Sequence, residues 1–552
     1  MMASIPRTAP GSRSVWATVS VSALITYVLG ALYLLARILR VTHGHFTYTL
    51  DDPYIHLALS ERIRHGLYGL NAGEPASPSS SVLWPFLFVP FAGTRLMVFL
   101  PLILNLVFGC VAAWCLGALV DRYVHGEPME RRQRWLAHLL GVLLVFATNL
   151  LGLTFLGLEQ LLETLLCIGC AFLLIAAAEE TSLPRWSVGA AILLPMVRYE
   201  GLLVTFAVVF ALASLRRWRI AAVVLVASCL PVLLFSVFLH HLGLPILPMS
   251  VLVKRVMISG EGSGLRHLAS VVSGALQAAK NDSEHYTVVM LVAVSIATLL
   301  YVWRSRRFMP VLLAVSGVAV IQLLFGPFAW FYRYEMYCVS FVLPVLLACS
   351  LGGWGAERDG STVAGGRRTT QPALGLLCVA TGAIVLHYLQ AFTGTPNAAQ
   401  SVLREQGQLA RLTTEFYPGP VAVNDLGLVS YQRTAQQYVL DLGALGSPEV
   451  FHTPSSERTP AWLDSVVAEH HIGLVAIYPE WFKALPKDWQ PVAKLCAEEA
   501  YYGPATPRVM LYGTPDANGA DLMRSLTQFK ATLSPGTLLE LHPQNASQTC
   551  RP

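Results

Sequence analysis

Asp51 and Asp52 are the first carboxylates along the chain, and they come shortly after an apolar segment long enough to cross a membrane. They open the stretch DDPYIHLALSERIRHGLYGLNAGEPASPSSSVLW. Four more ionisable groupings occur near apolar segments: Glu159 with Glu163, Arg198 with Glu200, Lys254 with Arg255, and Arg333 with Glu335. An acid able to take a hydroxyl proton, beside basic groups able to hold phosphate, is what group transfer from a lipid phosphate requires. Each grouping alone has a plainer account. An aspartate pair at a helix start caps it and complements its dipole, and the other groups form local ion pairs or snorkel to the membrane surface.

The elements that position these groups follow from composition. Of 552 residues, 54% are hydrophobic and only 13% charged, which places the chain among membrane proteins. The net charge of +5 is small and the basic residues lie between apolar segments, so nucleic acid is not an expected partner. Apolar segments recur at 14–37, 96–120, 136–158, 160–178, 220–239, 286–303, 308–326, 334–351 and 372–390. The first is too long for a signal-peptide core and reads as a retained span. Arginines cluster at 7 and 13, at 122 to 134, at 185, at 216 to 219, at 304 to 307 and at 358 to 368. The positive-inside rule puts all six clusters in the cytoplasm, which demands an even number of crossings between neighbours. Residues 38–94 then lie outside as a first external loop, and about eleven spans leave the chain outside near residue 390.

Two places break the simple pattern. Between 186 and 215, Arg198-Tyr199-Glu200 interrupts the apolar run, whose first 12 uncharged residues cover only about 18 Å as a helix, which predicts two half-length helices meeting within the membrane. In the loop, Ile55, Ala58, Leu59 and Ile63 recur at helical spacing, which predicts an amphipathic helix lying on the outer membrane surface, and Val82–Phe91 predicts a second interfacial helix.

Residues 391–552 carry more proline and charge, with short β-rich runs at Val421–Val423, Tyr438–Leu440, Leu474–Ile477 and Val509–Tyr512. These predict an external (periplasmic) α/β domain over a partly parallel sheet. Asp425 and Asp441 read as turn residues at strand ends, and His43-Gly44-His45 as a solvated loop. Eight of the ten cysteines lie in or next to predicted spans, which leaves Cys496 and Cys550 as the candidate disulfide. No Walker loop, Rossmann glycine fingerprint or zinc spacing is present.

Asp51-Asp52-Pro53-Tyr54-Ile55, then Gly66 to Glu74, then Ser77-Pro78-Ser79-Ser80-Ser81-Val82-Leu83-Trp84 resemble the first external loop of the GT-C membrane glycosyltransferases, in particular bacterial proteins related to the mycobacterial terminal arabinofuranosyltransferases. Gly157-Leu158-Glu159, Arg198-Tyr199-Glu200-Gly201, Leu247-Pro248 to Lys254, Arg333 before Leu343-Pro344, and the Asn424-Asp425-Leu426-Gly427 and Val439 to Gly443 strands follow in that family's order. The resemblance implies a polyprenyl-phosphate sugar donor, a cell-envelope glycan, lipid or protein as acceptor, and transfer at the external face of a bacterial inner membrane with the N-terminus cytoplasmic. It implies a first-loop aspartate as general base, with Asp52 the first choice and Asp51 the second, as helper or metal ligand. Arg198, Lys254 and Arg333 become the donor-phosphate ligands, and Glu159, Glu200, Tyr54 and His56 the groups that orient them or bind sugar. An aspartate pair also suits Mg²⁺ or Mn²⁺. Two other classes share parts of the pattern: a secondary transporter of an anionic or sugar-like solute, which also uses broken helices, and a non-enzymatic membrane scaffold.

Overall fold

The structure is a computed structural model that describes residues 18–124, 131–253, 273, 274, 277, 285–302, 308–328, 330–352, 371–497, 501–503 and 506–543. Lys254, Arg255 and Cys550 lie outside the described residues, as do the arginine clusters at 7 and 13, 304 to 307 and 358 to 368.

Long uncharged runs with high mean hydropathy fold as helices because a helix satisfies every backbone polar group internally. In chain order they include α1 (Val19–Val41), α2 (Asp52–Arg64), α3 (Leu100–Val124), α4 (Gln160–Ala178), α5 (Arg185–Val197), α6 (Gly201–Ser214), α7 (Trp218–His241), α8 (Tyr286–Val302), α9 (Met309–Phe325), α10 (Met336–Leu351) and α11 (Gln371–Arg404). Among the described residues, five helices are long and apolar enough to cross a membrane: α1, α3 with the turn before it, α4, α7 and the apolar part of α11. The helices α5, α6, α9 and α10 and most of α8 are apolar but shorter.

The first long contact shows how the bundle is keyed. Gly117 of α3 meets the α1 backbone, where a Cβ would stand 2.4 Å from the Ser20 Cα, so the two helices approach closely. Asp121 then accepts from the Val19 and Ser20 amides at 2.9 and 3.0 Å, an acid from one helix capping the start of another.

The run from 185 to 214 breaks where the charges predict. Helix α5 ends at Arg198, which is extended (φ −150°, ψ 145°), and α6 starts after Glu200.

The apolar positions of α2 have a different destination from the lipid surface expected of them. Ile55, Ala58 and Leu59 are buried in protein, and so are His56, Leu57, Ser60 and Arg62 around the helix. The physical reason is a partner that helical periodicity within 49–84 does not reveal: α2 lies against a short helix of the C-terminal domain, α12 (Gly427–Gln432). In the second expected interfacial helix, Trp84 and Phe88 are fully buried, while Phe86, Pro90 and Phe91 are exposed.

Helix α11 runs unbroken across residue 390 and carries the chain into the C-terminal domain. Its six-stranded sheet has the order β2-β1-β3-β5-β4-β6, with β1 at Val421–Val423, β2 at Val439–Asp441, β3 at Leu474–Ile477, β4 at Gln490–Cys496, β5 at Arg508–Gly513 and β6 at Leu538–Leu541. The β1 strand pairs parallel with β2 and β3, and the remaining pairings are antiparallel. The sheet is therefore mixed, and β2 is its edge on the side of the first loop. Cys496 at the end of β4 is disulfide-bonded, and the eight cysteines in and beside the helices are free thiols.

Candidate functional site

Asp51 precedes α2 as its N-cap residue, and its carbonyl accepts from the Tyr54 amide at 3.1 Å, but its side chain makes no capping bond to that helix. Its carboxylate turns instead to the C-terminal domain, where Oδ2 accepts from the Gly427 amide and Oδ1 from the Leu428 amide at 2.8 Å. It thus caps α12, a helix 376 residues away along the chain. Asp425 lies at the same junction, where its carboxyl disfavours the charged form of Asp51. Burial is the main force pushing the Asp51 carboxyl up, with the Asp425 charge adding to it and the two backbone amides opposing.

Asp52, the next residue, points elsewhere. Its Oδ2 is 2.8 Å from Nη1 of Arg333, and its side chain is one-third exposed where that of Arg333 is almost wholly buried. Arg333 follows the turn Trp330–Tyr332, in which Phe331 and Tyr332 adopt left-handed backbone (φ 61° and 55°). Nη2 of Arg333 donates to the Tyr334 hydroxyl at 3.1 Å, while Nε is buried with no hydrogen-bond partner among the described residues. A buried donor left unmet is costly.

The Tyr334 ring links this pair to a second charge cluster. The guanidinium of Arg333 lies 5.0 Å from its centroid and that of Arg198 lies 5.5 Å away, so one aromatic ring serves two arginines. Arg198 is 2% exposed, and each of its nitrogens meets a carboxylate: Nη1 with Glu159 at 2.9 Å, Nε with Glu163 at 3.4 Å and Nη2 with Glu200 at 2.8 Å. The broken helix accounts for the arrangement. The chain turn between α5 and α6 delivers Arg198 and Glu200, and the start of α4 delivers Glu159 and Glu163 one turn apart.

Behind Glu159 stands His56 of α2, whose Nε2 is 3.5 Å from Oε2, and Ser80 donates to Oε1 at 3.2 Å. Nδ1 of His56 is 3.0 Å from the Ser79 hydroxyl, which donates to the Ser81 carbonyl at 2.7 Å. With the hydroxyl hydrogen used there, the network assigns a hydrogen to Nδ1. A continuous polar chain therefore runs Ser79, His56, Glu159, Arg198, Tyr334, Arg333 and Asp52.

The structure brings together Asp52, Arg333, Arg198, Glu159, Glu200 and His56 from the sequence-derived set. Tyr54 stands apart: its hydroxyl is 2.9 Å from that of Thr47, and its ring packs on Tyr431 of α12. Glu335 is fully buried at the start of α10. Asp441 is a turn residue, accepting from the amides of Gly443, Leu445 and Gly446. Among the described residues no group of three or more histidine, cysteine or acidic side chains is placed to hold a metal ion. Sequence alone gives no role to Tyr334, Ser79 or Ser80; the one signal for Tyr334 is its place between two charges. Nothing in the sequence points to Gly427 as the partner of Asp51.

A family model described as a domain of unknown function, DUF8728, matches residues 397–512, which include α12 and the first five strands up to Leu511 and Tyr512. Comparison with curated proteins and with solved structures returns no match.

Proposed function

We propose that the chain is a membrane glycosyltransferase of GT-C type, with about eleven spans, that moves a sugar from a polyprenyl-phosphate donor to a cell-envelope acceptor at the outer face of a bacterial inner membrane. The observation that carries the reading is the Asp52–Arg333 pair, 2.8 Å apart, with a partly exposed acid beside a buried arginine. Asp52 takes the proton of the acceptor hydroxyl as its oxygen attacks the anomeric carbon. The lipid phosphate leaves as an anion, and the Arg333 guanidinium, whose Nε–H meets no acceptor among the described residues, steadies it. Arg198, each of whose nitrogens already faces a carboxylate, holds Glu159 and Glu200 in place. Lys254 remains a candidate phosphate ligand from the sequence.

The test is transfer of label from a panel of radiolabelled polyprenyl-phosphate pentoses and hexoses to acceptor in membranes carrying the full chain. Transfer is expected with the wild type and lost in Asp52→Asn at equal protein level. Counterflow uptake in liposomes without transfer would replace the enzyme by a transporter, and full activity of Asp52→Asn, Asp51→Asn and the double variant would remove the aspartates from the chemistry.

A further inference from the structure

Asp51 is held between two parts of the chain, and the part that holds it belongs to the domain for which the family match gives no function. Several contacts join that domain to the first loop, and three of them involve side chains of the loop that bind the domain's backbone. At the start of α12, the Gly427 and Leu428 amides grip the Asp51 carboxylate. At its end, Nη2 of Arg62 donates to the carbonyls of Ser430 at 3.2 Å and Arg433. Further along, Asn71 pairs with the edge strand β2 as another strand would: its Oδ1 accepts from the Val439 amide and its Nδ2 donates to the Val439 carbonyl, both at 3.0 Å.

The first contact tolerates only glycine. A Cβ on Gly427 would stand 2.1 Å from the Asp51 carbonyl oxygen and 2.6 Å from Oδ2, and the backbone atom has nowhere to go without moving α2. Asp51 and Asp52 are adjacent in sequence, so whatever displaces the Asp51 backbone displaces the acid that faces Arg333.

We propose that the C-terminal domain is the positioning element of the first loop, and that Gly427 is the positioning residue through which its turn sets Asp52 against Arg333. The domain's partner is this chain's own loop, and the contact supplies precision where a solvent-facing loop end would wander. A general base one ångström out of place loses roughly a hundredfold in rate. The proposal rests on the glycosyltransferase reading for its kinetic consequence and stands apart from it for its structural one.

The experiment uses the full chain in lipid nanodiscs with two variants, Gly427→Ala and Asp51→Ala, the second removing the gripped carboxylate without inserting an atom. The first readout is hydrogen exchange. Both variants are expected to speed exchange of the peptide covering 49–64 while leaving that of β3 and β5 unchanged. The second is kinetic: kcat for transfer from the polyprenyl-phosphate sugar that the wild type uses falls roughly ten- to a hundredfold, with donor KM within about twofold and the acid limb of the pH–rate profile in place. Unchanged exchange over 49–64 in both variants overturns the clamp. Faster exchange with undiminished kcat, or loss of the acid limb in Asp51→Ala, overturns the positioning role, the latter by making Asp51 itself the base. If Gly427→Ala fails to accumulate, Asp51→Ala decides alone. A wild type that transfers no sugar defeats the enzymatic reading, while the exchange result still tests the clamp.

Discussion

Asp51 and Arg62 hold opposite ends of the same short helix, the acid at the amides that begin α12 and the base at the carbonyls that end it. Both residues belong to the α2 region, so α2 and α12 lie side by side in the same direction. Parallel neighbours repel through their dipoles, and a carboxylate at one pole with a guanidinium at the other reverses the sign of that interaction. Arg62→Met is expected to leave the Ser430 and Arg433 carbonyls short of a donor and to cost about 1 to 3 kcal/mol. Thermal unfolding followed in detergent checks it; an unchanged midpoint would mean that water replaces the guanidinium at no cost.

Arg198 is a structural centre in this arrangement, and its removal is predicted to act on folding before it acts on donor binding. Arg198→Ala leaves three carboxylates facing one another in a buried space, and breaking a buried ion pair costs about 3 to 5 kcal/mol. The accumulated protein and its unfolding midpoint should both drop, and Glu163→Gln in the same chain should restore part of the loss. No restoration, with donor affinity weakened in soluble Arg198→Ala, would return Arg198 to the phosphate.

Arg333 is the residue whose loss should weaken the donor. Arg333→Gln keeps a polar side chain but removes the charge beside Asp52, and donor KM is predicted to rise while the unfolding midpoint moves less than in Arg198→Ala. Equal KM in Arg333→Gln and wild type would contradict the assignment.

Glu405 gives the C-terminal domain a pH dependence of known sign. Burial pushes its carboxyl up to about 8, with the Tyr478 hydroxyl pulling the other way and the Asp425 charge adding to burial. An acid that binds its proton more tightly folded than unfolded contributes stability that is complete below its ordinary value and is lost as pH rises through the folded one. The domain should therefore lose stability steadily from about pH 5 to about pH 9, and Glu405→Gln should flatten that slope. Parallel slopes for the two proteins would place the titration elsewhere.

How much of this is legible in the sequence depends on how far apart the partners lie along the chain. The helix break at Arg198 is written locally, because two charges in the middle of an apolar run are stable only where the helix gives way to a polar pocket. The β1, β2, β3 and β5 strands are likewise visible as short runs of valine, leucine and isoleucine. The β4 strand is hidden by Pro491 and Lys494, the latter buried and paired with Glu540 at 3.0 Å, which a hydrophobic pattern does not show. Arg198 is visible as a charge, but not that three carboxylates share it, since Glu159 comes from a helix start 39 residues earlier. The helix-capping character of Asp51 is also readable, though not which helix it caps. That answer depends on a glycine 376 residues away, and no local rule reaches so far.

Helix α11 has one more consequence. Its 34 residues make a rod about 50 Å long that begins among the apolar helices and ends inside the C-terminal domain. A domain mounted this way does not swing on a string; it turns with its axle. Pro396, which forgoes one backbone hydrogen bond, is the joint at which that axle bends most cheaply. Movement of the first half of α11 is thereby passed through one continuous helix to the domain whose Gly427 amide grips Asp51.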